Sequence, residues 1–248
     1  MDLQLKDKIA LITGASRGIG AATARLLAEE GADVVICCHS NIEGAKEVAE
    51  AVRSAGRRAW CIGMDVADAG AVAAAFQDLK NNIDRIDVLV LCSGESTVTP
   101  FEETTPREWA HIVDVNLNGP FYVLHEANDL LSDGSTVVMV ASVAGHTGVP
   151  HHAHYAAAKA GLINLTKSAA RALAPRVRVN CVAPGMTLTE MGRQSATALP
   201  EDYARTKLLT HRFAEPEEIA RVIAFVASPV AGFMTGATID VNGGRVLR

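Results

Sequence analysis

Tyr155 and Lys159 stand four residues apart in Ala153-His154-Tyr155-Ala156-Ala157-Ala158-Lys159, a segment rich in helix-forming alanine. On a helix this spacing sets both side chains on one face. A free phenol has a pKa of about 10, and a neighbouring ammonium favours the phenolate, which brings proton transfer closer to working pH. Reducing a carbonyl, or oxidising its alcohol, needs such a group. Ser142 closes the apolar run STVVMVA (135–141) thirteen positions before Tyr155. If that run is a strand of a parallel sheet, its C-terminal edge is where ligands bind. Taken singly, a Tyr–Lys pair on a helix surface and a Ser capping a turn are commonplace. Their joint order at element boundaries favours chemistry.

A second set of residues is suited to phosphate. Thr13-Gly14-Ala15-Ser16-Arg17-Gly18-Ile19-Gly20 lies between the apolar run 9–13 and a helical stretch 21–30 closed by Gly31. Bare glycine backbone there lets a pyrophosphate approach the helix N-terminal amides. A tight strand-to-helix turn needs glycine for its own reasons, so the trio is weak evidence alone. The cluster His146, His151, His152 and His154 invites a metal reading. Its spacing gives no fixed helical face, so no metal is expected and the histidines are assigned to the rim of the site.

The elements that must carry these groups alternate. The apolar run 32–38 (ADVVICC) reads as a strand buried on both faces; 43–54 as helix, 58–63 as strand, 69–79 as helix and 86–91 as a fourth strand. Helical material follows over 106–131, then strand 135–141, the long helix 153–173 and strand 176–182. An irregular polar stretch leads to a helix over 216–227, opened by Pro-Glu-Glu, and a last strand over 237–241. This pattern predicts a single-domain, Rossmann-type doubly wound parallel α/β sheet of about seven strands flanked by helices, spanning 1–248.

The TGxxxGxG turn, with Ser142, Tyr155 and Lys159 at their spacings, resembles the short-chain dehydrogenase/reductase family, and the resemblance runs the whole chain. It implies an oxidoreductase in which Tyr155 is the acid/base, Ser142 bonds the substrate oxygen and Lys159 also holds the nicotinamide ribose. It further implies that Asn116 keeps a water leading protons from Lys159 to solvent. Cofactor contacts are implied at Gly14, Ser16, Arg17, Gly18, Ile19 and Gly20, at the strand end His39-Ser40-Asn41, and at Asp65 and Val66 beside the adenine. They continue at Cys92-Ser93-Gly94, which replaces the family's usual Asn-Asn-Ala-Gly-like run, and at Pro184, Gly185, Thr187 and Thr189 of a PGxxxT-like segment. NAD-preferring members carry Asp where this chain has Cys38; Arg17, His39 and Ser40 suit a 2′-phosphate instead, although His39 titrates near neutrality. NADP(H) is therefore favoured over NAD(H). Substrate contacts are implied at Ser142, His154, Tyr155 and Met186, under a mobile lid over about 186–212 with Met186, Met191, Leu199, Tyr203 and Leu208 as a partly apolar cover.

Among branches of the family the chain resembles 3-oxoacyl-(acyl-carrier-protein) reductases, with general ketoreductases and sugar dehydrogenases as alternatives. The substrate is thus expected to be a small carbonyl or alcohol, including a carrier- or CoA-bound thioester. Composition bounds the rest. At 49% hydrophobic and 21% charged residues the chain falls in the globular range. A net charge of −5 gives no polycationic footprint for nucleic acid. The stretch 124–133, read as the end of a helix, is acidic, and only Arg171 matches a basic position on the next helix, which is a poor match for an acidic carrier. Five cysteines without a CxxC pair read as reduced, and no apolar run nears the ~18 residues of a membrane span. A cytoplasmic protein is expected. By resemblance it is a homotetramer, with Phe225, Phe233, Val246 and Leu247 available for contacts; a nucleotide-binding sensor without turnover is the remaining alternative.

Overall fold

The computed structural model describes residues 2–197 and 199–247; Ala198, inside the expected lid, and the terminal Met1 and Arg248 lie outside the described residues. Seven parallel strands form one sheet: β1 (Ile9–Thr13), β2 (Asp33–Cys38), β3 (Ala59–Gly63), β4 (Ile86–Leu91), β5 (Leu131–Val140), β6 (Val177–Pro184) and β7 (Thr238–Val241), in spatial order β3-β2-β1-β4-β5-β6-β7. Connections run outward from β1 in both directions, so the loops after β1 and β4 part there and leave a crevice at the strands' C-terminal ends.

The strands alternate which core they feed. Ile9, Leu11, Val35 and Cys37 face one cluster with Val72 and Phe76 of α3 (Ala69–Leu79), Val123 of α5 (Gly119–Ala127) and Leu162 of α7 (Ala153–Leu173). Ala10, Ile12, Val34, Ile36 and Cys38 face the other, with Leu27 of α1 (Gly18–Glu29), Val48 of α2 (Ile42–Ser54) and Ile223 of α10 (Pro216–Ala227). Continuous apolar runs thus reflect burial on both sides. Phe76, 1% exposed, is among the largest fully buried side chains; truncation to Ala would cost about 3–5 kcal/mol.

The helical material expected over 106–131 is α4 (Pro106–Val113) and α5, joined by a π-helical turn, Asp114–Asn118. One expectation is corrected. The acidic segment 124–133 is not helix throughout, because α5 stops at Ala127 and β5 begins at Leu131. Leu130 and Leu131 are buried by early pairing with β4, where Ile86 N donates to Leu130 O at 2.7 Å. Arg176 ties down the turn, donating to Asn128 Oδ1 and Leu131 O.

The N-terminal edge of the sheet, opposite the crevice, is stitched by two buried acids. Asp33 accepts from Arg58 N at 2.9 Å and Arg58 Nε at 2.8 Å and pairs with Arg57 at 3.0 Å, which hold its carboxyl below the ordinary range although burial works the other way. Asp87 accepts from Ile9 N at 2.9 Å and Arg85 Nε at 3.1 Å.

Candidate functional site

The crevice opens into a cavity of about 1060 Å³. Its floor is the glycine turn. Gly14 has φ +64°, and a Cβ there would lie 2.9 Å from Ser93 Cα; a Cβ on Gly20 would collide with Gly14 O. Thr13 Oγ1 accepts from Cys92 N and Ser93 N, each at 3.0 Å, so the turns after β1 and β4 are laced together. Helix α1 begins at Gly18, three residues earlier than the apolar pattern suggested, so its first amides are those of the glycine turn. The bare turn and the helix N-terminus fit a pyrophosphate.

Beyond β2, Cys38 is buried while His39, Ser40 and Asn41 reach the cavity. His39 Nε2 lies 3.9 Å from Asp65 Oδ2, and Asp65 Oδ1 accepts from Ala67 N at 2.9 Å. Asn41 caps α2, accepting from Gly44 N at 3.2 Å. Arg17 also lines the cavity but is ion-paired with Glu190, the first residue of α8 (Glu190–Ala196); both side chains are exposed. No carboxylate follows Cys38 on this strand end; Arg17 and His39 are the basic side chains there, each with a carboxylate beside it, Glu190 and Asp65.

At the other end of the cavity, Ser142 follows β5, and its Oγ accepts from Ala144 N at 3.1 Å. Val143 N donates to Pro184 O at 2.9 Å, binding the serine turn to β6. Tyr155 and Lys159 share one face of α7, with Lys159 Nζ 5.5 Å from the Tyr155 ring centroid. Lys159 is 3% exposed and donates Nζ to Val140 O at 2.9 Å. Burial pushes the phenol up to about 12, partly offset by a hydrogen bond from Ser142, and pushes the ammonium down to about 8. The expectation that the Lys159 charge draws the phenol toward neutral pH is therefore corrected for the protein alone: desolvation, which disfavours the charged form of each, is the largest influence on both groups.

Asn116 sits in the π-turn, 0% exposed. Its Nδ2 donates to Glu95 O at 2.7 Å and Ile112 O at 2.9 Å, while its Oδ1 is buried with no hydrogen-bond partner among the described residues. A Cβ on Gly94 would lie 3.0 Å from Asn116 Oδ1 and 3.4 Å from Lys159 Nζ, a tight fit that sets the two side chains on either side of this glycine. Asn116 thus lies beneath the cavity wall rather than on it.

Of the predicted site residues, Val66, Pro184, Gly185, Met186, Thr187 and Thr189 also reach the cavity. The Thr189 hydroxyl accepts from Gly192 N at 3.0 Å, capping α8, and its methyl faces Gly18. The predicted apolar cover of Met186, Met191, Leu199, Tyr203 and Leu208 lines one wall. His154 is corrected: it is 0% exposed, off the cavity, with Nε2 at 3.0 Å from Thr97 Oγ1 and 3.5 Å from Glu108. Of the clustered histidines the one on the cavity is His152, whose Nδ1 lies 2.9 Å from Ser96 Oγ. Its place three residues before Tyr155 was the available signal. His146 turns instead to Asp240 of β7, at 3.2 Å. Among the described residues no three His, Cys, Asp or Glu side chains gather into a metal-binding group. Sequence reasoning also missed Glu95, His111 and Arg245, which line the cavity from loops whose approach no local pattern encodes.

Comparison with known proteins agrees with this geometry. A family model described as enoyl-(acyl carrier protein) reductase matches residues 14–245. The chain is 39% identical over 243 residues to a 3-oxoacyl-(acyl-carrier-protein) reductase of Staphylococcus aureus, covering 97% of this chain and 98% of that one. It is 40% identical to a cis-4-hydroxycyclohexanecarboxylate dehydrogenase of Sinomonas cyclohexanicum, covering 96% of each. The crystal structure of a short-chain dehydrogenase from Burkholderia cenocepacia in complex with NADP superimposes with a TM-score of 0.91 at 32% identity, covering 99% of each chain.

Proposed function

This chain belongs to the short-chain dehydrogenase/reductase family of oxidoreductases, and on that premise we propose that it is an NADP(H)-dependent carbonyl reductase whose leading substrate is a 3-oxoacyl thioester. The observation that carries the reading is Ser142, Tyr155 and Lys159 meeting at one end of a cavity whose other end is a bare glycine turn. Bound nicotinamide supplies the hydride. The Ser142 hydroxyl orients the substrate oxygen, and the Tyr155 phenol delivers the proton to it. Lys159 repolarises the phenol and holds ribose hydroxyls; Asn116 Oδ1, facing Lys159 across Gly94, accepts from water on the path to solvent. Arg17, His39 and Ser40 take the 2′-phosphate. Residues 186–212 close as a lid over the substrate. NADP in the Burkholderia cenocepacia structure and the 3-oxoacyl thioester chemistry of the Staphylococcus aureus relative's name support this reading.

A second reading, reduction of small free ketones or oxidation of their alcohols, is favoured by surface charge: Asp129, paired with Lys80 at 3.8 Å, and Asp133 in β5 are both exposed, a poor match for an acidic carrier. A homotetramer suits the exposed Phe233 and Leu247. Among the described residues no helix is long and apolar enough to cross a membrane. The test is NADPH oxidation with a 3-oxoacyl thioester, a β-ketoester and a simple ketone, and NADP reduction with glucose. Turnover of the thioester at the highest kcat/KM supports the leading reading, whereas its inertness beside an active ketone selects the second. A lower KM for NADH than for NADPH would overturn the cofactor assignment.

A further inference from the structure

The reaction just described uses the cavity's phenol, hydroxyl and ammonium, but the same cavity holds a guanidinium it does not use. Arg245 lines the wall beside Tyr203 and Leu208. It is carried there by the turn Asn242-Gly243-Gly244-Arg245 after β7, closed by Arg245 N donating to Asn242 O at 3.1 Å. Gly243 and Gly244 have φ +63° and +76°. A Cβ on Gly243 would lie 2.6 Å from Thr210 Oγ1, and one on Gly244 2.7 Å from Leu209 Cδ1. The paired glycines therefore let the turn press directly under residues 208–210, and Leu209 N and Thr210 N donate to Gly243 O at 2.8 and 3.2 Å. The arrangement is built by main chain, and it carries Arg245, exposed at the cavity, to this wall.

Arg245 Nε donates to Tyr203 Oη at 2.9 Å. Its two terminal amino groups have no partner among the described residues, and no carboxylate among them lies within ion-pair distance. The cavity's other charges are engaged: Arg17 with Glu190, Lys159 Nζ with Val140 O, Glu95 with His111 at 3.0 Å. A guanidinium that meets a phenol through Nε and leaves two amino groups without a partner among the described residues is the planar fork that binds carboxylate or phosphate.

We propose that Arg245 is a specificity-determining residue that receives an anionic oxygen group carried by the substrate apart from its reacting carbonyl. Two sources share this chemistry: the carboxylate of a small oxo acid and the phosphate of a phosphopantetheine arm. The proposal rests on the reading that this cavity reduces carbonyls, and it narrows which carbonyl compounds enter.

The test uses the full-length protein with NADPH, as wild type, R245Q and R245K. One arm compares methyl ketones bearing a terminal carboxylate at increasing distance, each beside its methyl ester. The other compares the 3-oxobutanoyl thioesters of phosphopantetheine and pantetheine, which differ by the phosphate alone. Wild type is expected to prefer the anionic member of one pair by about tenfold or more in kcat/KM, the range of a hydrogen-bonded charge. R245Q loses that preference through KM, and R245K keeps part of it. The pair in which preference is lost identifies the source. The proposal is overturned if wild type shows no anionic preference in either arm, if R245Q retains it, or if R245Q lowers both members of a pair equally. If nothing is turned over, the carbonyl reading itself fails. Calorimetric titration of the same carboxylates and esters, and of the two thioesters, then decides Arg245 separately: tighter binding of an anion that R245Q abolishes supports it, and equal binding overturns it.

Discussion

The two walls of the cavity are made differently. One is the C-terminal edge of the sheet with α7, where regular elements deliver Gly14, Gly94, Ser142, Tyr155 and Lys159, and backbone contacts closer than a Cβ would permit fix the spacing. The other is the stretch 186–212, two short helices, α8 and α9 (Tyr203–Lys207), held by caps and side chains such as Thr189 on Gly192 N and Tyr203 on Arg245. The first wall is pinned by sterics that admit one residue type. The second is anchored at its base, where Gly243 and Gly244 press under residues 208–210 and Leu209 N donates to Gly243 O, and above that base it is held by side-chain polar contacts that other residues could make. On the proposed function, chemistry belongs to the first wall and selection to the second.

That division can be broken experimentally. The largest effect is expected for Tyr155→Phe: kcat falls about 10³-fold while NADPH binding, followed by its fluorescence, changes less than about twofold. A similar loss of NADPH affinity would show that the first wall binds as much as it reacts. Next is a pH effect. Burial pushes Lys159 to about 8, so the free enzyme holds that proton below this pH and gives it up above. kcat/KM for reduction should therefore decline as pH rises through about 8, and Lys159→Arg should move the alkaline limb upward; a limb that stays in place assigns it elsewhere. Gly14→Ala meets φ +64° and the Ser93 backbone together. It should lower Tm by several degrees, an expected cost of about 1–3 kcal/mol, and weaken NADPH binding; an unchanged melting curve would mean that the turn tolerates a side chain. Smallest is Glu190→Gln, which frees Arg17 from an exposed ion pair. KM for NADPH should fall about twofold at low salt and not at high salt.

The same division explains what could be read from the sequence. The seven strands, the boundaries of α3, α7 and α10, and the glycine turn were legible because each is a local requirement: apolar runs for doubly buried strands, helical spacing for Tyr155 and Lys159, left-handed backbone for Gly14. The π-turn at Asp114–Asn118 was not, since the reason for it is Asn116 reaching Glu95 O from twenty-one residues away. The early start of β5 depends on Arg176, forty-five residues from Leu131. His154 and His152 could not be told apart without knowing that Glu108 and Thr97 claim the first. Neither phenol nor ammonium revealed the extent of its burial, so the direction of the Tyr155 shift could not be read from spacing.

The buried acids at the N-terminal edge bear on engineering. Asp33 and Asp87 clamp the strand starts at the end of the sheet away from every residue assigned to turnover. Their neighbourhood is a tuning site for thermal endurance: reshaping the arginines at 57, 58 and 85 should raise or lower heat tolerance while leaving selectivity intact. A directed-evolution programme could therefore strengthen that end first, and spend the gained robustness on bolder changes to the lid.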